Sequence, residues 1–73
     1  SVHAYMVPKT MTGQTIEGLS IRAKTGATII AISRGAQNVI NPAPNFVFEP
    51  GDAMVVIGES DQLKTFEREF MVS

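Results

Sequence analysis

The stretch Ala27-Thr28-Ile29-Ile30-Ala31-Ile32-Ser33-Arg34 decides the fold. It is rich in β-branched side chains and reads as a strand. Period-two alternation puts Thr28, Ile30, Ile32 and Arg34 on one face and Ala27, Ile29, Ala31 and Ser33 on the other. The first face is bulky and ends in a cation. The second is small apart from Ile29, as suits close packing by a helix. Downstream, Gly35-Ala36-Gln37-Asn38 is a turn and Val39-Ile40-Asn41 a returning strand, so the two segments make a hairpin. Pro42 and Pro44 stop further pairing and stiffen the connection. Upstream, Gly26 sits where a helix C-terminal glycine belongs. Ile16, Leu19 and Ala23 recur at helical spacing, which predicts a helix over Thr15–Lys24, with Thr12 as a capping candidate. Gly18 weakens that helix by about 1 kcal/mol relative to Ala.

The outer segments complete the layer. Val2–Val7 is rich in strand formers, with Val2, Ala4 and Met6 on one face and His3, Tyr5 and Val7 on the other; Pro8 ends it. Phe46-Val47-Phe48 is a brief apolar segment and a candidate sixth element. In Glu49-Pro50-Gly51-Asp52, Pro and Gly take the favoured central positions of a type II turn. Ala53–Gly58 is a buried strand, apolar on both faces. Ser60 is a candidate N-cap, Asp61 suits the helix dipole, and Leu63, Phe66 and Phe70 predict an amphipathic helix over Ser60–Phe70. The order is β-α-β-β-β-α: an α+β fold with a small, mostly antiparallel sheet and two helices on one face.

Length and composition bound the function. The chain has 73 residues, 44% of them apolar and 18% charged, which suits one small folded domain spanning 1–73 rather than a disordered segment. It opens Ser1-Val2-His3 without a Met, as expected of a piece excised from a longer chain. Six Lys and Arg against seven Asp and Glu give no basic excess for nucleic acid and no polybasic patch for anionic lipid. There is no cysteine, and the single histidine, His3, cannot build a multi-histidine metal site. The longest apolar run, Ala53–Ile57, falls far short of the ~20 residues needed to cross a bilayer, so no direct membrane insertion is expected. A domain this short buries only about 60% of its unfolded surface and is marginal alone. Oligomerisation is the common remedy, and a homodimer is expected.

No acid–base pair stands out among Glu17, Glu49, Asp52, Glu59, Asp61, Glu67 and Glu69, most of which fall at turns or on the exposed face of the last helix. Asp52, between a Pro-Gly turn and a buried strand, reads as a turn residue bonding nearby backbone N–H groups. Ser33 has no histidine placed to activate it, and no glycine pattern makes a phosphate loop. An enzyme is not expected. Glu17, Glu49, Asp52 and Glu59 could offer oxygen ligands to a divalent cation, but no calcium-loop spacing is present. Arg34 has two readings. It could be an edge-strand charge that resists aggregation. It could also, beside Ile30 and Ile32 and across from Ile40, Asn41 and Pro42, take the phosphate of a planar anionic ligand, with the aliphatic groups around its ring and the Asn41 amide on its edge.

The run Gly13-x-Thr15-Ile16-x-x-Leu19, then Thr25-Gly26-Ala27-Thr28-Ile29-Ile30-Ala31-Ile32-x-Arg34-Gly35, Asn41-Pro42-x-Pro44, and Pro50-Gly51-Asp52 through Val55-Val56-Ile57-Gly58 resembles the RCK C-terminal domain, also called the TrkA-C domain. The resemblance covers about Val7 to Phe70. It implies a cytoplasmic regulatory module, dimeric, attached to a membrane-embedded potassium channel, potassium transporter or cation/proton antiporter, and commonly following an RCK N-terminal, Rossmann-type domain. Some members bind cyclic di-AMP between the two domains of a dimer, and Ile30, Ile32, Arg34, Ile40, Asn41 and Pro42 occupy matching positions. No cofactor is implied. The alternative is a structural dimerisation module without a ligand of its own.

Overall fold

Short apolar strands that each bury one face must pair before they can pack, and here four of them do. In the computed structural model, which describes Ser1 to Val72, β1 (Val2–Met6), β2 (Thr28–Arg34), β3 (Gln37–Ile40) and β4 (Ala53–Ile57) form one antiparallel sheet in the order β1-β4-β2-β3. β4 lies in the middle, which explains its apolar character on both faces. Register pairs Tyr5 with Met54, Ile32 with both Met54 and Val39, and Arg34 with Gln37. Helices cover one face only, as the α+β order requires. The core between sheet and helices is made by Ala27, Ile29, Ile32, Met54 and Val56 from the sheet side and Met11, Ile21, Phe48, Leu63 and Phe66 from the segments above it.

Strict alternation along β2 fails. The register against β4 slips between Ile29 and Ala31, so Ile30 is the extra residue of a β-bulge. Ile29 and Ile32 therefore both enter the core, and Ile32 has no exposed surface. Ile30 and Val55 lie outside that core, towards the other face. The expectation that Ile30, Ile32 and Arg34 share a face is corrected accordingly: one inserted residue flips every side chain beyond it.

The predicted helix over Thr15–Lys24 is two short helices, α1 (Ile16–Leu19) and α2 (Ile21–Thr25), broken at Ser20 with φ of 51°. Thr15 is the cap, its hydroxyl accepting from the Gly18 N–H at 2.9 Å; Thr12 instead bonds the Lys9 carbonyl within a single 3-10 turn, Lys9–Met11. The break rotates the second turn, so Ile21 and Thr25 are buried and Ala23 is exposed. The Thr25 hydroxyl donates to the Ile21 carbonyl at 2.7 Å and accepts from the Ala27 N–H at 3.0 Å, which satisfies its burial.

The last helix, α3, runs Ser60–Phe66 and ends in a π turn, Glu67–Met71. Its N-cap is Glu59, not Ser60; the Glu59 N–H donates to Gln62 Oε1 at 2.8 Å. Leu63 and Phe66 are buried as their spacing predicts, and Phe70 packs beside them. The Tyr5 hydroxyl donates to Glu67 at 2.6 Å and ties β1 to this end; burial, and then the Glu67 carboxylate, push its pKa up to about 12. Phe46–Phe48 is not a strand. It lies against the segment before α1, with Gly13 and Phe48 exchanging bonds through Gln14 and a single bridge between Thr15 and Val47.

Candidate functional site

Glu49, Pro50, Gly51 and Asp52 form the predicted turn, with Gly51 at φ of 88° and the Asp52 N–H on the Glu49 carbonyl at 3.2 Å. The turn delivers Asp52 to a fully buried position. Its carboxylate accepts from the Glu49 N–H at 2.9 Å, as sequence predicts for a turn aspartate. It also accepts from Arg34, Nε at 2.8 Å and Nη2 at 2.7 Å, a forked contact. Arg34 donates further to the Val47 carbonyl at 2.9 Å and to Glu49 at 3.1 Å, and its guanidinium lies 4.8 Å from the Phe46 ring centre. Four of its five N–H groups thus have protein acceptors. The Arg34 hydrogen bond holds the Asp52 carboxyl below the usual carboxylate range, against the opposing push of burial. Sequence showed each half of this pair but not their meeting, because the contact spans two separate turns.

The six residues predicted as a ligand set divide. Ile32 is core. Arg34 closes the hairpin end of β2. Ile30, Ile40, Asn41 and Pro42 gather at the other end of β2 and β3, where the Asn41 N–H donates to the Ile30 carbonyl at 2.9 Å. Asn41 takes a left-handed φ of 50°, an arrangement that asparagine tolerates, and Pro42 follows to turn the chain away. Three β2 residues, Ala31, Ile32 and Ser33, separate Ile30 at one end from Arg34 at the other, so within one chain Arg34 does not reach Asn41.

Two surfaces adjoin this corner. On the helix side, a groove of about 310 Å³ runs between α2 and the Asn41–Pro44 segment, walled by Ile16, Ile21, Ile29, Pro42 and Pro44 and edged by Arg22. Pro42 belongs to both corner and groove. On the other side, the sheet is uncovered. Val2, Met6, Ile40 and Ile57 are exposed by 56%, 62%, 68% and 41%. The register adds Ala4, Ala31, Ser33, Asn38, Ala53 and Val55 to that face, none of them charged. No group of acids or histidines among the described residues is arranged to hold a metal ion, and no helix there is long and apolar enough to cross a membrane.

The family model described as the TrkA-C domain matches residues 2–71. A probable potassium channel protein of Methanocaldococcus jannaschii is 41% identical over 54 residues, 74% of this chain; the chain spans 16% of that relative's length. Among solved structures, the RCK C domain of the potassium transport protein KtrA, in complex with cyclic di-AMP, is 40% identical with a TM-score of 0.89 over 96% of this chain and 82% of that one. The RCK C domain dimer of Streptococcus agalactiae BusR, also with cyclic di-AMP, is 27% identical with a TM-score of 0.83 over 100% of this chain and 99% of that one.

Proposed function

Because this chain belongs to the TrkA-C domain family, we propose that it is the regulatory domain of a longer potassium or cation transport protein, acting on the cytoplasmic side, and that a dimer of it binds cyclic di-AMP. The observation that carries this reading is the likeness, at 40% identity, to a solved potassium-transport domain that holds the same dinucleotide. The contact residues are Ile30, Ile40, Asn41 and Pro42. Aliphatic side chains and a proline ring suit the face of a purine, and the Asn41 amide, a donor and an acceptor on an exposed corner, suits its edge. Ile32 acts from the core by holding β2 in place, and Arg34 by pinning β2 to the Asp52 turn. The bare sheet face is the surface for a second copy.

Regulation follows from linkage. A dinucleotide that prefers one spacing of the two copies shifts the dimer towards that spacing, and the change is passed to the transport pathway. Calorimetric titration with cyclic di-AMP tests this, with cyclic di-GMP and ATP as controls. Saturation at one cyclic di-AMP per two chains, with silent controls, is the expected result. A stable dimer that takes up no dinucleotide would leave the second reading, a structural dimerisation module, which the uncharged face by itself supports.

A further inference from the structure

β1 is an edge of the sheet, with β4 as its single strand neighbour. Ser1 and Gly58 exchange backbone bonds at 3.0 and 3.1 Å, and the Val7 N–H donates to the Asp52 carbonyl at 2.9 Å. The register between these points fixes the parity. Ser1, His3, Tyr5 and Val7 bond towards β4, and Val2, Ala4 and Met6 turn their N–H and C=O groups outward. No protein group among the described residues takes these up. Natural sheets guard such an edge with a charge, a proline or a bulge. Val2–Met6 holds no Lys, Arg, Asp, Glu or Pro, and the bulge lies in β2. The opposite edge, β3, is shorter, and Asn41 and Pro42 turn its end away.

We propose that β1 pairs edge to edge with β1 of a second copy, antiparallel about a two-fold axis at Ala4, so that two sheets become one. In that register the strand is complementary to itself. Ala4 and its counterpart each donate to and accept from the other, and Val2 and Met6 exchange bonds with Met6 and Val2 of the second copy. Every outward group of the strand then has a partner. On the bare face Val2 packs against Met6 of the other copy, with the small Ala4 between the two such pairs. On the helix side His3 stands opposite Tyr5. Charge fits as well. Lys64 lines a cleft with Ser1 and His3, and Glu67 accepts from the Tyr5 hydroxyl. Reversing the strand sets the Lys64 end of one copy beside the Glu67 end of the other, opposite signs facing. This contact is separate from the bare face and from any ligand. A pair stacked through that face keeps its β1 edges open, so the two contacts together join two pairs into four chains.

Ala4→Pro tests this, because it removes an N–H that β4 does not use and leaves the β1–β4 ladder whole. A urea midpoint close to that of the wild type verifies the fold. Sedimentation is expected to show the wild type reaching four chains and Ala4→Pro halting at two, the edge contact being weakened about tenfold or more. A wild type of two chains that Ala4→Pro reduces to one would uphold the edge and remove the face contact. NMR on a mixture of isotope-labelled and unlabelled wild-type chains gives a readout independent of the variant. An NOE from the His3 Hα to the Tyr5 Hα of the other copy is expected, since such a facing pair brings its Cα atoms to about 4.5 Å. An assembly of the same size in wild type and Ala4→Pro, or mixed samples without that NOE, would overturn the edge pairing and leave the face contact and the dinucleotide reading standing.

Discussion

Replacing Asp52 with Asn would remove the charge on which two Arg34 N–H groups and the Glu49 amide converge. The side chain is buried and its partners cannot be replaced by water without opening the turn, so a loss of about 2 kcal/mol is expected in urea unfolding. The same residue sets an acid limit. Its carboxyl titrates lower in the folded chain than in the unfolded one. Such a group contributes fully above the unfolded value of about 3.9 and loses its contribution as pH falls through the folded value. Stability should therefore decline below about pH 4, and Asp52→Asn should flatten that decline. A variant that keeps the wild-type acid slope would place the responsible carboxylate elsewhere. Arg34, for its part, is more than an edge charge: its fork braces β2 against the loop that carries Phe46 and Phe48.

At the scale of elements, the hairpin, the Pro50-Gly51 turn and the first and last strands were legible in the sequence because proline, glycine and runs of strand-forming residues mark them. The Ile29–Ile30 bulge was not. Ile29, Ile30, Ala31 and Ile32 are all apolar, so the pattern carries no phase from which a slipped residue could be noticed. Arg34 was assigned to the face of Ile30 by counting through that slip. The split at Ser20 was equally hidden, since a left-handed serine leaves no mark in composition. Ile30, Ile40 and Asn41 lie together at one corner, with Pro42 next in the chain, because that neighbourhood depends on the hairpin and not on the face. Gly26 shows how tightly the elements interlock. It has φ of 79°, and a Cβ there would lie 2.5 Å from the Gln62 amide nitrogen that belongs to the start of α3. Gly26→Ala should cost about 1–3 kcal/mol, read as a lower urea midpoint, through backbone strain and a disturbed cap together. An unchanged midpoint would mean that Gln62 moves aside freely and that the cap does not depend on it.

At the scale of the molecule, one side of the sheet carries a core and the other carries none. A second copy laid on the bare face would give each chain the apolar cover that so small a domain cannot build alone. Met6→Glu places a charge on the exposed apolar side chain of β1 within that contact while leaving the core untouched. It should weaken self-association about tenfold or more in sedimentation, with the circular dichroism of the folded chain retained. An unaltered dimer would move the contact to another surface. The absence of charge from this face has a further consequence. Dissolved ions screen a doubly charged dinucleotide from any cation that meets it but have nothing to screen between two neutral sheets. On the proposed reading, rising potassium salt would thus loosen the hold on the dinucleotide while leaving the pair of chains together, so that the ionic strength of the surroundings would tune binding without taking such a dimer apart.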